Sequence, residues 1–393
     1  VPNASPELRT LPDRTPVIVA ARRLPTAKAG GAYKELRAHQ LAAPVLAAVL
    51  ADSGLAAADV DDVILGNATG GGGNVARLAA LTAGLGDRVP GLTVDRQCGS
   101  GLEAIVLACR LVQAGAGDTY VAGGVESIST APARAHRRAD GSLDFFDRAQ
   151  FAPLESGDPD AGVAAENVAG HFGIGRERQD AYALESHRRA NAADTAGRFS
   201  KELLPLAGLI ADEGLHRHLT PALMARFPAA FVDGGTVTAG NSCPYSDGAA
   251  AVVVTTAARA RSLAAEGLAF VDSAVAGTDP NLLGVGAAHS TLALMKRTGQ
   301  DAAALNSGLI EFNEAFAAQV LATADLAGLD PDAFNLDGGA LALGHPYGAS
   351  GAVSVVRLFA QSAARTEPGL GALAMISMAG GMGITAQFRW SLL

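Results

Sequence analysis

The chain has 393 residues, 49% hydrophobic and 18% charged, with a formal net charge of −9. That length predicts two or three packed units rather than one core. The acidic balance excludes broad nucleic-acid binding, which needs clustered Lys and Arg against phosphates, but leaves room for a small anionic ligand on a local patch.

Cys98, Cys109 and Cys243 are too few, and odd in number, for a disulfide framework, and point to a reducing cytoplasm. No apolar run approaches the roughly 20 residues that span a bilayer. The opening "VPNASPELRTLPDR" lacks the basic-then-apolar order of a leader. The 47 glycines lie in short clusters between apolar runs, so the chain does not read as disordered.

In chain order, "TPVIVAARRLP" (15–25) predicts a first strand, and "AHQLAAPVLAAVLADSGL" (38–55) a helix stopped at Ser-Gly. "VDDVILGNATGGGG" (60–73) predicts a buried strand ending in glycines, and "VARLAALTAGL" (75–85) a second helix. Residues 91–115 predict a strand, a tight turn holding Cys98 and a helix of small apolar residues. "DTYVAGGVES" (118–127) predicts another buried strand. Strands alternating with helices predict a layered α/β fold. From about 128 to 238 the texture turns polar, which predicts an inserted subdomain with an exposed amphipathic helix over 176–199. Buried-strand composition returns in "TVTAGNSCPYSDGAAAVVVTT" (236–256).

The second half repeats the first. Asn67 falls opposite Asn313, Ser100-Gly101 opposite Ser350-Gly351, and Ala122-Gly123-Gly124 opposite Ala379-Gly380-Gly381, in the same order. This predicts an internal duplication, and a junction of two such halves is a natural place for a ligand.

Four positions could carry chemistry. Cys98 stands between a strand and a helix, where free amides and the helix dipole favour a thiolate; a buried structural cysteine is the competing reading. His345, in "GGALALGHPYGASG", is pinned by Gly and Pro and suits a base that activates a thiol; a loop histidine bonded to a carbonyl is the alternative. Asn313, in "EFNEAFAAQ", could donate to an oxyanion or cap a helix. Ser377, beside the turn "MAGGMG", could take part or merely fill space. Cys109 reads as helix packing. "RAHRR" (134–138) reads as a solvated loop that could also meet ligand phosphates. "HRH" (216–218) lacks the spacing and partners of a metal site. "GNATGGGGN" lacks the ending of a phosphate loop, and no GxGxxG opens a first helix, which sets nucleotide and dinucleotide binding aside.

Taken together, "DRQCGSGLEA", "AGGVES", "GVAAENVA", "FGIGRERQDAYALESHRRA", "GTVTAGNSCPYSDGAAAVVV", "EFNEAFAAQ", "GGALALGHPYGASG" and "AGGMG" resemble the thiolase family over nearly the whole chain. The resemblance implies a five-layered αβαβα sandwich of two duplicated halves. Residues 1–127 with 236–265 would form one half, 128–235 an inserted loop domain and 266–393 the other half. It implies a homodimer or homotetramer that needs no metal and no cofactor beyond the coenzyme A thioester it acts on. The implied reaction is acyl transfer from an acyl-CoA: Claisen condensation, or thiolysis of a 3-ketoacyl-CoA. Cys98 would be acylated, and His345 would activate it. Asn313 would hold a water in one oxyanion hole, and the backbone amides of Cys98 and Ala379 would form the second. Cys243, Ala239, Gly240, Arg226, Gly380 and Met382 would line the thioester.

The sequence departs from the family at five places, one of them "GDPDAG" (157–162), which lacks the His-Met that lines the pocket in short-chain relatives. The family carries an acid/base cysteine in "CxGGGxG"; here Ser377 stands in that place. An aliphatic hydroxyl is a poor base, and losing a general base costs about 10²–10⁴-fold. Ser377 therefore leaves three readings: an engineered trap for the acyl-enzyme, a divergent acyltransferase or decarboxylating condensing enzyme using another acyl carrier, or a binding protein without catalysis. Cys243 replaces the serine of "AGNxS", Arg226 is displaced by one residue from the family's adenine-holding arginine, and Tyr347 replaces a leucine after "GHP".

Overall fold

The computed structural model describes residues 11–393; the reading of a missing leader falls mainly on residues 1–10, outside them. The chain opens with β1 (Pro16–Arg23), β2 (Ala27–Lys28), α1 (Ala38–Ser53), β3 (Asp62–Gly66), α2 (Val75–Thr82), β4 (Gly91–Val94), α3 (Ser100–Ala114) and β5 (Thr119–Glu126). Next come β6 (Arg134–Arg137), β7 (Leu143–Phe146), α4 (Ala161–Phe172), α5 (Arg176–Thr195) and α6 (Pro221–Met224). β8 (Ser246–Thr256), α7 (Ala257–Ala260), β9 (Glu266–Gly277), α8 (Gly286–Thr298), α9 (Ala302–Asn306), β10 (Leu309–Phe312) and α10 (Ala317–Ala327) follow. α11 (Ala340–Leu343), α12 (Tyr347–Arg365), β11 (Gly371–Met378) and β12 (Met382–Leu392) complete the chain.

Two half-sheets of like design emerge. One runs β4-β3-β5-β8-β1 and the other β10-β11-β12-β9. In each, a parallel pair (β3 with β5, β10 with β11) leads to two antiparallel steps. A short pairing of β1 with β9 (Val17 with Ala269, Ile18 with Leu268) joins them.

The alternation of side chains explains the long apolar runs. In β8, Ala250, Val252 and Val254 face α3 and α12, while Ala249, Ala251 and Val253 face α1 and α2. In β11, Ala372, Ala374, Ile376 and Met378 face the same central helices, and Leu373 and Met375 face α8 and α10. A strand buried on both faces has no polar alternate. The layers are therefore α1/α2, sheet, α3/α12, sheet, α8/α10, the five-layered order that the family resemblance implied. Cys109 sits in the middle layer, fully buried, as packing.

The repeat holds at two of its three matches. Asn67 and Asn313 each follow a parallel strand, and Ser100 and Ser350 lie in the first turns of α3 and α12. The glycines differ: Gly123 and Gly124 lie within β5, whereas Gly380 and Gly381 form a left-handed turn (φ +78° and +73°).

The polar insertion also departs from expectation. "RAHRR" is not a loop but the first strand of a hairpin, because His136 stacks on Phe146 at 4.7 Å and Arg134 lies over the same ring. α5 is not simply an exposed helix. Its inner face buries Gln179, Asp180, Ser186 and His187 along with three alanines. Two of its residues reach Glu314, Tyr182 through its hydroxyl at 2.9 Å and Ser186 through Oγ at 2.7 Å. A buried ionic cluster ties the insertion to both halves. Arg23 of β1 pairs with Glu202 and Asp212, each at 2.7 Å, and Arg357 of α12 pairs with Glu202 and Asp337. The Phe199 ring lies 5.5 and 4.5 Å from the two guanidinium carbons. Among the described residues no helix is long and apolar enough to cross a membrane.

Candidate active site

The turn after β4 is wound tightly. Gln97 takes the left-handed conformation (φ +49°). Ser100 Oγ accepts from the Arg96 N–H at 2.8 Å and donates to the Gln97 carbonyl. This winding lifts Cys98 out ahead of α3. The sulfur faces the backbone amides of Cys98 and Ala379, which favour a thiolate, but burial and the charge of Glu126 win and push the thiol up to about 12. The expectation that the helix end alone would favour a thiolate is overturned by this desolvation.

His345 arrives from the other half, between α11 and α12. It is 2% exposed. Its N–H donates to Ser246 Oγ at 3.1 Å, and its Nδ1 lies 2.6 Å from Ser350 Oγ, one turn along α12. Burial pulls its pKa down to about 3, so the ring is neutral. With Nδ1 engaged by Ser350, Nε2 is the nitrogen left for chemistry. The first turns of α3 and α12 abut. A Cβ on Gly101 would lie 2.7 Å from the Gly348 carbonyl oxygen, and one on Gly351 would lie 2.6 Å from Leu102 Cβ. Cysteine and histidine thus sit at the starts of two helices locked together by glycine contacts.

Asn313 leaves β10 with its N–H on the Met375 carbonyl at 3.0 Å. It does not cap α10, which begins at Ala317 behind Phe316. Its buried Nδ2 has no partner among the described residues. Asn313, Ser350, Ser354, Glu311 and Arg357 line a cavity of about 20 Å³, enough for one water. Glu311 there has its carboxyl pushed up to about 8 by burial.

Ser377 is buried at the end of β11. Its Oγ donates to the Gly284 carbonyl at 2.7 Å and accepts from the Ala287 N–H at 3.0 Å. The hydroxyl therefore binds the start of α8 to β11, and neither bond runs to Cys98 or His345. Gly381 must be glycine: its φ is +73° and a Cβ would press on the Thr278 carbonyl oxygen.

Cys243 is half-buried, with its N–H on the Ala315 carbonyl at 3.0 Å, and burial pushes its thiol well above the ordinary range. Gly240 packs under Met224 and Phe227, with Ala239 just before it. Gly380 packs close to the Phe151 carbonyl oxygen and Met382 methyl. Arg226 is exposed and forms no ion pair among the described residues.

Residues 16–258 match the thiolase N-terminal domain and residues 266–389 the thiolase C-terminal domain. The chain belongs to the thiolase family. It is an enzyme of the thiolase-type acyltransferase class. It is 42% identical over 381 residues to a putative acetyl-CoA C-acetyltransferase of Staphylococcus aureus, covering 95% of this chain and 98% of the relative. Its counterpart in Staphylococcus epidermidis is 42% identical, covering 96% and 99%. Among solved structures, the Bacillus anthracis acetyl-CoA acetyltransferase superposes with a TM-score of 0.87 at 32% identity, covering 96% and 98%. Human mitochondrial 3-ketoacyl-CoA thiolase gives 0.88 at 31% identity, covering 96% and 99%. That human enzyme has also been solved in complex with CoA.

Two side chains near this thiolase centre escaped the sequence reading. Glu126 ends β5 fully buried. It accepts from Asn67 Nδ2, the Ala68 and Thr69 amides, Thr69 Oγ1 and the Gly348 amide. Its signal was an acid closing an otherwise apolar strand. Ser350 entered the sequence reading only as the repeat partner of Ser100, and its bond to the imidazole has no sequence signal beyond that position.

Proposed function

We propose that this thiolase transfers an acetyl group from acetyl-CoA through Cys98. The carrying observation is the sulfur set against the amides of Cys98 and Ala379 while neutral His345 stands on the abutting helix start. The Cys98 proton passes to His345 Nε2 as sulfur attacks the thioester carbonyl. The carbonyl oxygen becomes negative between the two amides. The carbon–sulfur bond to CoA breaks, and the CoA thiolate takes the proton back from Nε2. A water or substrate oxygen on Asn313 Nδ2 serves the second half-reaction.

Ser377 impairs that second half, in which an α-proton must leave the incoming acetyl-CoA. Its one proton goes to a carbonyl, so the hydroxyl has no base beside it. This same bond favours a second reading, a condensing enzyme that forms its carbanion by loss of CO₂ and needs no base, with another acyl carrier in place of free CoA. We also propose the two-half division with residues 128–235 inserted. We propose a homo-oligomer, supported by the open edge of β4 and the exposed Leu78, Leu81 and Leu92.

Thiolysis of acetoacetyl-CoA, compared between the parent and Ser377→Cys, tests the function. A gain of about 10²–10⁴-fold with the cysteine is expected. No gain, with Cys98 still acetylated by acetyl-CoA, removes the impaired-thiolase reading and leaves the decarboxylating one.

A further inference from the structure

Pro346, Tyr347 and Gly348 open α12 against the first turn of α3, and the glycine contacts there leave neither helix start free to retreat. Tyr347 projects from this junction half-buried. Its ring meets the His345 ring edge-on, centroids 5.1 Å apart at 76°. The Tyr245 ring meets Tyr347 edge-on at 6.1 Å and 88°. Tyr245 is 67% exposed, and its backbone bridges that of His345. The two rings therefore form a continuous aromatic wall from solvent to the imidazole. Edge-to-face contacts of this kind fix ring orientation. Tyr347 is followed by Gly348, whose carbonyl oxygen lies against Gly101 in the helix start that Cys98 precedes, and burial keeps the Tyr347 hydroxyl protonated.

We propose that Tyr347, backed by Tyr245, is a specificity-determining residue whose ring closes the space beside the Cys98 sulfur and restricts the acyl group carried there to a short one. This rests on Cys98 being the acylated nucleophile. Discrimination by an apolar wall is worth about 10–200-fold per methylene that fails to fit.

The test is the rate at which Cys98 gains an acyl group, followed by intact mass and peptide mapping. Acetyl-CoA, butanoyl-CoA and octanoyl-CoA are offered separately to the parent, Tyr347→Phe, Tyr347→Leu and Tyr347→Ala. The parent should take acetyl at least about tenfold faster than octanoyl. Tyr347→Ala and Tyr347→Leu should shrink that ratio by about tenfold or more, and Tyr347→Phe, which keeps the ring, should hold it within about twofold. A ratio unmoved in both shortened variants overturns the proposal. So does a shift in Tyr347→Phe as large as in Tyr347→Ala, which would place the effect in the hydroxyl. A parent that takes none of the three on Cys98 overturns the acylation reading itself, and this is seen before any variant is made.

Discussion

Iodoacetamide reacts with a thiolate and not with a thiol, so its rate at Cys98 reads the charge on the sulfur. In the ligand-free protein burial and Glu126 push this thiol up to about 12 against the pull of two amides. Burial pulls His345 down to about 3. Moving the proton from sulfur to imidazole therefore crosses about nine pH units, or ~12 kcal/mol. Attraction between the resulting ions would recover only about 4 kcal/mol even at a contact distance of about 4 Å. The neutral pair wins at rest, and the proton moves with the attack on substrate rather than before it. A thiol at about 12 would be ionised in about one molecule in 10⁵ at pH 7, against a few per cent for a free cysteine. Labelling of Cys98 should be about 10³-fold slower than that of a free thiol and should climb about tenfold per pH unit from 6 to 10. Peptide mapping separates Cys98 from Cys109 and Cys243. A plateau below about pH 8 would mean a resting ion pair and refute this reasoning.

Other consequences are as direct. Glu126→Ala strands buried donors at Asn67 and Gly348 and part-buried ones at Ala68 and Thr69, and should cost about 1–3 kcal/mol in urea unfolding; a loss below about 0.5 kcal/mol would show the cluster to be incidental. His345 and His187 have folded pKa values of about 3 and about 4, below the ordinary 6.5. The unfolded chain binds these protons first, so stability is full above about pH 6.5 and falls as pH drops. Each histidine removes about 2 kcal/mol between pH 6.5 and 5, and a urea midpoint that stays level across that window would contradict their buried neutrality. Gly381→Ala forces a Cβ onto the Thr278 carbonyl oxygen and displaces the Ala379 amide. Acetylation of Cys98 should slow at least about tenfold, and an unchanged rate would remove that amide from the mechanism.

Much of the site was legible because short segments carry it. The Cys98 turn is built from residues 96–100, and the His345 loop from residues 344–350, each with glycines that only close approach explains. The two half-sheets followed from apolar runs and a repeat. What stayed hidden depends on partners far along the chain. Glu126 meets Gly348 across 222 positions, and Ser377 meets Gly284 across 93. Periodicity reports which face of an element is apolar, not which distant amide will lie opposite a lone acid or hydroxyl. The thiol's charge state was misjudged for a related reason. The helix start can be read from local residues, but the burial and the Glu126 carboxyl that outweigh it come from elsewhere in the fold.

The abutting starts of α3 and α12 carry one more implication. Cys98 belongs to the first half of the chain, while His345, Asn313 and Ala379 belong to the second. On the proposed mechanism, neither half holds a working set of groups. A ribosome that has released only the first half presents an idle sulfhydryl, and a proteolytic nick that separates the halves abolishes turnover even if each piece stays folded. On that assignment, competence for chemistry requires the two halves to be docked, and activity reports on their docking.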